Sequence, residues 1–272
     1  MNEKMNQKVL VLDIDGTLTN SDKEITEATK KGIIHIQERG HIVILASGRP
    51  TPGMKRYAEE LELEKFGGYL LSFNGGRITN CKTKEIVFQQ TLPSHVISKI
   101  YQFAEENDCG IITYTNEGII SGRRLDKYIE LESKINNLPV KIVDNFIAYQ
   151  NCDLNKCLMT ADGEKAEIYE KQLAEKFEKE LSIYRSEPFF IEIMPKNIDK
   201  ATSLDRMLTS VGLTRENAIC CGDGFNDMTM IQYAGVGVAM ENAQPAVKEA
   251  ADYITKSNDE DGIAHVIDKF II

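Results

Sequence analysis

The chain has 272 residues, 42% of them hydrophobic, enough for one large domain or two modest ones around a buried core. A formal net charge of −10 weighs against nucleic acid or an anionic membrane surface as partner, and means that any anionic ligand needs positive charge gathered locally. No stretch reaches the ~20 apolar residues of a membrane span, no signal peptide is expected at the start of the chain, and Cys81, Cys109, Cys152, Cys157, Cys220 and Cys221 form no CxxC pair and have no histidine at zinc spacing, which suits reduced thiols of a cytoplasmic protein.

In chain order, Val9 to Leu12 is an unbroken apolar run, the pattern of a strand buried on both faces. It ends in Asp13 and Asp15, one residue apart, and then Gly16. Strand neighbours point to opposite sides, so both acids can serve one place only if the strand has ended and the chain is turning. Ile25, Ala28, Ile33 and Ile36 predict a helix that Gly40 stops, and His41 to Ala46 is a second buried strand, leading into Ser47-Gly48-Arg49-Pro50. A helix from about Pro52 to Leu63 and a strand from Tyr69 to Phe73, ending at Asn74-Gly75-Gly76, complete βαβαβ grammar and imply a parallel sheet with right-handed crossovers.

The middle reads differently. Strands are expected over 85–90, 110–114 and 189–194, a helix over 94–107 capped by Ser94, and a long amphipathic helix over 164–181. Polar Asn80 to Lys84 and Pro195 to Asn197 read as hinges around an inserted α+β layer. The last fifth returns to strand and helix. A strand over 218–221 leads into Gly222-Asp223-Gly224-Phe225-Asn226-Asp227 and a helix through Tyr233. A strand over 235–240, a helix opened by Asn242 and Pro245, and a final helix over 262–270 follow.

Four segments at strand ends or helix starts carry polar groups: Asp13 with Asp15, Ser47-Gly48-Arg49, Lys200, and Asp223 with Asn226 and Asp227. Three carboxylates near one point repel one another, so a divalent cation is expected among them, and hard oxygen ligands without His or Cys point to Mg²⁺. A hydroxyl at Ser47, a backbone amide at Gly48 and the Lys200 ammonium are what a phosphate needs around it, which resolves the charge problem above. Arg49 could hold structure or substrate, and Asn74 could simply tolerate a tight turn.

The sequences Asp13-x-Asp15-Gly-Thr-Leu, Ser47-Gly48-Arg49, Lys200 and Gly222-Asp223-Gly224-x-Asn226-Asp227 resemble, in order and spacing, the four motifs of the haloacid dehalogenase superfamily. Asn74-Gly75-Gly76, Ala239-Met240-x-Asn242-Ala243 and Asp261-Gly262 resemble its Cof-type branch, and the long insert resembles a type II (IIB) cap. The resemblance implies an α/β fold. A Rossmann-like core is expected from residues 1–83 and 194–272, with an inserted α+β cap over 84–193.

The resemblance also implies roles. Asp13 would be the nucleophile and form an aspartyl-phosphate, and Asp15 the acid and then the base. Mg²⁺ would be held by the Asp13 side chain, the Asp15 main-chain oxygen and Asp223. Ser47, Gly48, Lys200, Asn226 and the Ile14 amide would grip phosphate, and Asp227 would orient Lys200 or a metal-bound water. Transport ATPases of this superfamily typically have Thr where Asp15 stands, so Asp15 implies rapid turnover with water. Ser47 replaces the usual Thr, and Ala201 replaces the usual Gly after the lysine.

The expected function is a Mg²⁺-dependent phosphatase for a small soluble phosphomonoester, such as a sugar phosphate or phosphorylated cofactor. It would act in the cytoplasm as a monomer or small homo-oligomer, with no nucleic acid or membrane partner. A phosphomutase of the same superfamily and a non-catalytic phosphometabolite sensor are the alternatives.

Overall fold

The computed structural model describes residues 7–272. They fall into two compact units, one running to Arg49 and taking in Met54–Phe88 and Asp199–Ile272, the other taking in Pro50–Gly53 and Gln89–Ile198.

The first unit is built on an eight-stranded sheet. Its strands are β1 (Val9–Leu12), β2 (Ile42–Ala46), β3 (Tyr69–Ser72), β4 (Arg77–Asn80), β5 (Ile86–Gln89), β12 (Ala218–Gly222), β13 (Val236–Ala239) and β14 (Tyr253–Ile254), in the spatial order β14-β13-β12-β1-β2-β3-β4-β5. From β14 across to β3 the pairs are parallel, and β4 then runs antiparallel to β3. Every β1 side chain is fully buried, as its apolar run requires.

Alternation divides that run between two cores. Leu10 and Leu12 pack with Val43, Leu45, Ile33, Ile36, Ile263 and Val266 on one face. Val9 and Val11 pack with Ile44, Leu204, Met207 and Leu208 on the other. The first face is covered by α1 (Glu27–Glu38), capped by the Thr26 hydroxyl, and by the last helix, Gly262–Phe270; the second is covered by the helix Lys200–Ser210. Gly40, at φ +85°, follows the end of α1 as its sequence position predicts.

The second unit carries a six-stranded sheet. Its strands are β6 (Gly110–Thr115), β7 (Gly118–Gly122), β8 (Val140–Val143), β9 (Cys157–Thr160), β10 (Leu181–Glu187) and β11 (Phe190–Pro195), in the order β10-β11-β9-β6-β7-β8. All its pairs are antiparallel except β7 with β8. Ile111, Cys157, Met159, Ile191 and Ile193 of this sheet pack with Val96, Ile97 and Ile100 of the helix Ser94–Glu106, and with Ala166 and Leu173 of the helix Gly163–Lys176. An α+β layer is what the middle of the sequence implies.

Several details differ from expectation. The helix expected to reach 181 ends at Lys176, because Leu181 instead opens β10, whose pairing with β11 outweighs the helical spacing of Phe177 and Leu181. Ser94 is the first helical residue and Pro93 is the cap. Asn80 to Lys84 forms a closed turn, with Lys84 N–H donating to the Asn80 carbonyl at 2.9 Å, so this polar stretch lies inside the first unit. Ile86–Gln89 is the edge strand of the larger sheet, so the chain leaves that sheet after it.

All six cysteines are free thiols, five of them buried. Burial pushes the Cys81 and Cys157 thiols up to about 12, far from the reactive thiolate range. Among the described residues no helix is long and apolar enough to cross a membrane.

Candidate active site

Strand order locates the site. From β1 the chain proceeds to β2 and β3 on one side, while β12, β13 and β14 extend the sheet on the other. The carboxyl ends of β1 and β12 therefore flank a switch point, where open α/β sheets bind ligands. Leu12 pairs with Cys221 and with Leu45, so Asp13, Ser47 and Asp223 emerge along one edge. All the site groups described here belong to the first unit.

Lys200 is the first residue of its helix, which is capped by the Asp199 carboxylate accepting the Thr202 N–H at 2.9 Å. Ala201 in place of glycine leaves that helix start intact. The Lys200 side chain is fully buried, and its ammonium donates to Asp13 Oδ1 at 2.6 Å and Asp227 Oδ1 at 2.5 Å. Burial alone would lower the lysine, but the two carboxylates carry it above its ordinary value. Asp13 is pushed well up by burial and then by Asp227, with Lys200 opposing both.

The second oxygen of Asp227 accepts the backbone N–H groups of Asp223 and Gly224, each at 3.0 Å. Asp227 thus ties the lysine to the Asp223 turn. A Cβ at Gly222 would lie 2.4 Å from the Asp227 Cβ. Gly222→Ala is therefore expected to lose about 1–3 kcal/mol of stability through overpacking and to lower turnover with it, read by urea denaturation and by rate on the same preparation. Unchanged values for both would contradict the packing.

Asp223 accepts a hydrogen bond from the Thr17 hydroxyl at 2.8 Å. Burial is the main cause that raises its carboxyl to about 6, with Asp227 adding to it. Gly16 lies against it at φ +82°, and a Cβ there would come within 2.5 Å of Asp223 Oδ2. Carboxylate oxygens of Asp13, Asp223 and Asp227 gather within 4.8 Å of one another. Three acids face one ammonium, so the donor set is hard oxygen with two negative charges in excess, which fits a divalent cation. Both Asp227 oxygens are already engaged, leaving Asp13 Oδ2 and Asp223 Oδ2 as the side-chain atoms to hold it.

Asp15 points into a different network. Arg49, itself buried, donates from Nε to Asp15 Oδ2 at 2.7 Å and from Nη2 to Oδ1 at 2.8 Å, and Lys23 donates to Oδ1 at 3.2 Å. Burial pushes this carboxyl up, but Arg49 and Lys23 together outweigh it and hold it below the ordinary range. For Arg49, left open by sequence, the structure gives a forked pair with Asp15 and a guanidinium 5.7 Å from the Tyr57 ring centre.

The Ser47 hydroxyl accepts the Arg49 N–H at 3.2 Å, and the Ser47 carbonyl accepts the Asn74 N–H at 2.9 Å. Asn74 does adopt a left-handed turn conformation, at φ 53°, and it also accepts the Asn226 side-chain amide at 3.2 Å. Its side chain lies beside Gly48, where a Cβ would be 3.3 Å from Asn74 Oδ1. The Ile14 side chain is buried, and its carbonyl accepts both the N–H and the hydroxyl of Thr19, at 3.0 and 2.9 Å.

Sequence reasoning assigned no part to Thr17 or Lys23. Thr17 sits inside the first motif, and its hydroxyl was the available signal. Lys23 had none, because its position depends on a loop held at φ 63° by Asn20, whose side-chain oxygen accepts the Asp22 and Glu24 N–H groups at 3.1 and 2.9 Å.

An acidic cluster of this kind, at the switch point of an open α/β sheet, lies where such sheets bind their ligands. A family model described as haloacid dehalogenase-like hydrolase matches residues 10–267. The chain is 44% identical to a haloacid dehalogenase-like hydrolase of Bacteroides thetaiotaomicron, with a TM-score of 0.94 over 97% of this chain and 99% of that one. It is 25% identical to a haloacid dehalogenase subclass IIB sugar phosphatase, with a TM-score of 0.83 over 98% of this chain and 100% of that one. It is also 30% identical over 270 residues to the 5-amino-6-(5-phospho-D-ribitylamino)uracil phosphatase YcsE of Bacillus subtilis, covering 99% of this chain and 98% of the relative. The chain belongs to the haloacid dehalogenase-like hydrolases, in the Cof-type, subclass IIB branch that its motifs resemble. It is an enzyme of the phosphatase type.

Proposed function

We propose that the protein is a Mg²⁺-dependent phosphatase that hydrolyses a small phosphomonoester, a sugar phosphate or a phosphorylated cofactor, through an aspartyl-phosphate on Asp13. The observation that carries this reading is the buried Lys200 ammonium, 2.6 Å from Asp13 and 2.5 Å from Asp227 inside a cluster completed by Asp223. A carboxylate at a strand end, beside a fixed cation, can attack phosphorus while charge on the phosphoryl oxygens is neutralised. Relatives that act on a ribitylamino-uracil phosphate and on sugar phosphates support the substrate class. Six free thiols suit a cytoplasmic setting.

In this reading an Asp13 oxygen forms a bond to phosphorus as the ester oxygen departs in line. Lys200, Ser47, Asn226 and the amides of Ile14 and Gly48 hold the phosphoryl oxygens. Asn74 orients Asn226, and Asp227 orients Lys200. Mg²⁺ would be held by the Asp13 and Asp223 carboxylates and the Asp15 main-chain oxygen, and would supply neutralising charge between nucleophile and phosphate. Asp15 would give a proton to the leaving oxygen and then take one from the water that opens the acyl phosphate. Arg49 and Lys23 hold it in the ionised form that the second step needs. The first step needs it protonated, which a withdrawal of the Arg49 fork would favour.

Release of orthophosphate from a broad panel of phosphorylated metabolites, with and without Mg²⁺, tests the reading. Mg²⁺-dependent release from at least one small monoester is expected. Silence across the panel with every divalent ion tried would refute it, and phosphate moving between positions of one sugar without release would indicate a mutase.

A pH dependence follows from Asp223. Its folded value of about 6 lies above the ordinary 3.8, so the folded chain binds the proton more tightly than the unfolded one. Without metal, this group makes stability fall as pH rises from about 4 through about 6, and Asp13 acts in the same direction. Mg²⁺ favours the ionised carboxylates. The expected result is a Mg²⁺-induced rise in Tm that is larger at about pH 7 than at about pH 5, measured by thermal melts in matched buffers. An equal or larger rise at the acid pH would contradict it.

A further inference from the structure

We propose that Asn242 is a positioning residue for the divalent cation, holding the turn after Asp13 and the Asp223 loop at a fixed separation. The inference rests on the metal site of the proposed function. Residues 240–244 bracket the Asp223 loop through their backbone, since Met240 N–H donates to the Gly222 carbonyl at 3.1 Å and Gln244 N–H to the Asp223 carbonyl at 3.0 Å. From the middle of that bracket, Asn242 Nδ2 donates to the Gly16 carbonyl at 2.8 Å. Its other atom, Oδ1, accepts the Asn258 N–H at 3.0 Å, which fixes the amide's orientation.

Asn258 in turn donates from Nδ2 to the Thr19 carbonyl at 2.9 Å, and Asp259 accepts the N–H and hydroxyl of Ser21 at 2.8 and 2.7 Å. One exposed side chain therefore joins three segments distant in sequence. The joint has little slack. Gly16 already lies so close to Asp223 that an added Cβ would stand 2.5 Å from Oδ2, so a displacement of Gly16 changes the space beside that oxygen. The position requires a donor and an acceptor on one short planar group, which asparagine supplies. Asn242 touches no phosphate-binding group of the site, so its effect falls on cation affinity.

Loss of supporting hydrogen bonds around a metal site lowers affinity by about 10- to 100-fold, and an effect transmitted through a backbone carbonyl is expected at the lower end, about tenfold. The test titrates Mg²⁺ against the Tm of the full chain without substrate. Asn242→Ala removes both bonds, whereas Asn242→Asp keeps the acceptor for Asn258 and removes the donor to Gly16. Both should raise the Mg²⁺ half-saturation about tenfold, while Ser21→Ala, which removes a bond of the same network remote from Gly16, should leave it unchanged. Half-saturation within twofold of wild type in both Asn242 variants, or an equal rise in Ser21→Ala, overturns the assignment. A wild-type chain with no saturable Mg²⁺ response would instead sink the metal site itself, and this inference with it.

Discussion

Asp13→Asn should leave a folded protein whose turnover has fallen by at least about 10⁴-fold, because the amide keeps the shape of the side chain but cannot accept a phosphoryl group. The structure adds a second, opposite expectation for stability. Asp13 is buried and lies near Asp227, both of which raise its proton affinity, so the ionised carboxylate is held against an unfavourable environment. A neutral amide removes that burden and leaves the Lys200 ammonium paired one-to-one with Asp227, so the metal-free variant should melt no lower than wild type, a trade of stability for activity. Orthophosphate release and thermal melts on the same preparation measure both. Retention of turnover within a hundredfold of wild type would remove Asp13 from the role of nucleophile.

Lys200→Met is the second large effect. The ammonium has no exposure to solvent, and its removal leaves Asp13 and Asp227 facing each other without a cation. Breaking a buried ion pair by deleting one partner costs about 3–5 kcal/mol, which in a chain of this size is a fall of about 10 °C in Tm. The loss should be greatest near neutral pH and smaller in acid. Lys200 lowers the proton affinity of Asp13, so without it Asp13 takes up a proton more readily, and once acid has neutralised that carboxyl less of the ion pairing remains to be lost. Lys200→Arg should not restore activity, since a planar fork cannot occupy a fully enclosed ammonium site. A Tm within about 2 °C of wild type at neutral pH would show that the carboxylates do not depend on the cation.

Much of the core was legible because its signals are local. Val9 to Leu12 has the pattern of a strand buried on both faces, and two acids followed by glycine fit its end. Ser47 and Asp223 were placed by the strands that precede them, whereas Lys200 stood out chiefly through the family resemblance. Partnerships were less so. Whether Arg49 holds a substrate or a neighbour depends on which strand lies beside β2, and adjacency to β1 is what brings its fork to Asp15.

The second unit was read least well. Gly118–Gly122, Val140–Val143 and Leu181–Glu187 were not anticipated as strands, since their identity comes from cross-strand pairing more than from propensity. The contacts of Lys23 and Asn242 were not legible, although Asn242 stands in a motif. Asn20 shapes the loop of Lys23, whose Ser21 bonds Asp259, and Asn258 orients Asn242; Asn258 and Asp259 enter the chain more than two hundred positions after the first aspartate.

That Asp13, Asp15, Lys23, Ser47, Arg49, Lys200, Asp223, Asn226 and Asp227 all come from the first unit has an evolutionary corollary. Residues 89–198 supply none of these side chains. A lineage carrying this scaffold is thus free to diversify one half of the gene while purifying selection preserves the other, and paralogues should differ far more between those residues than at the aspartates.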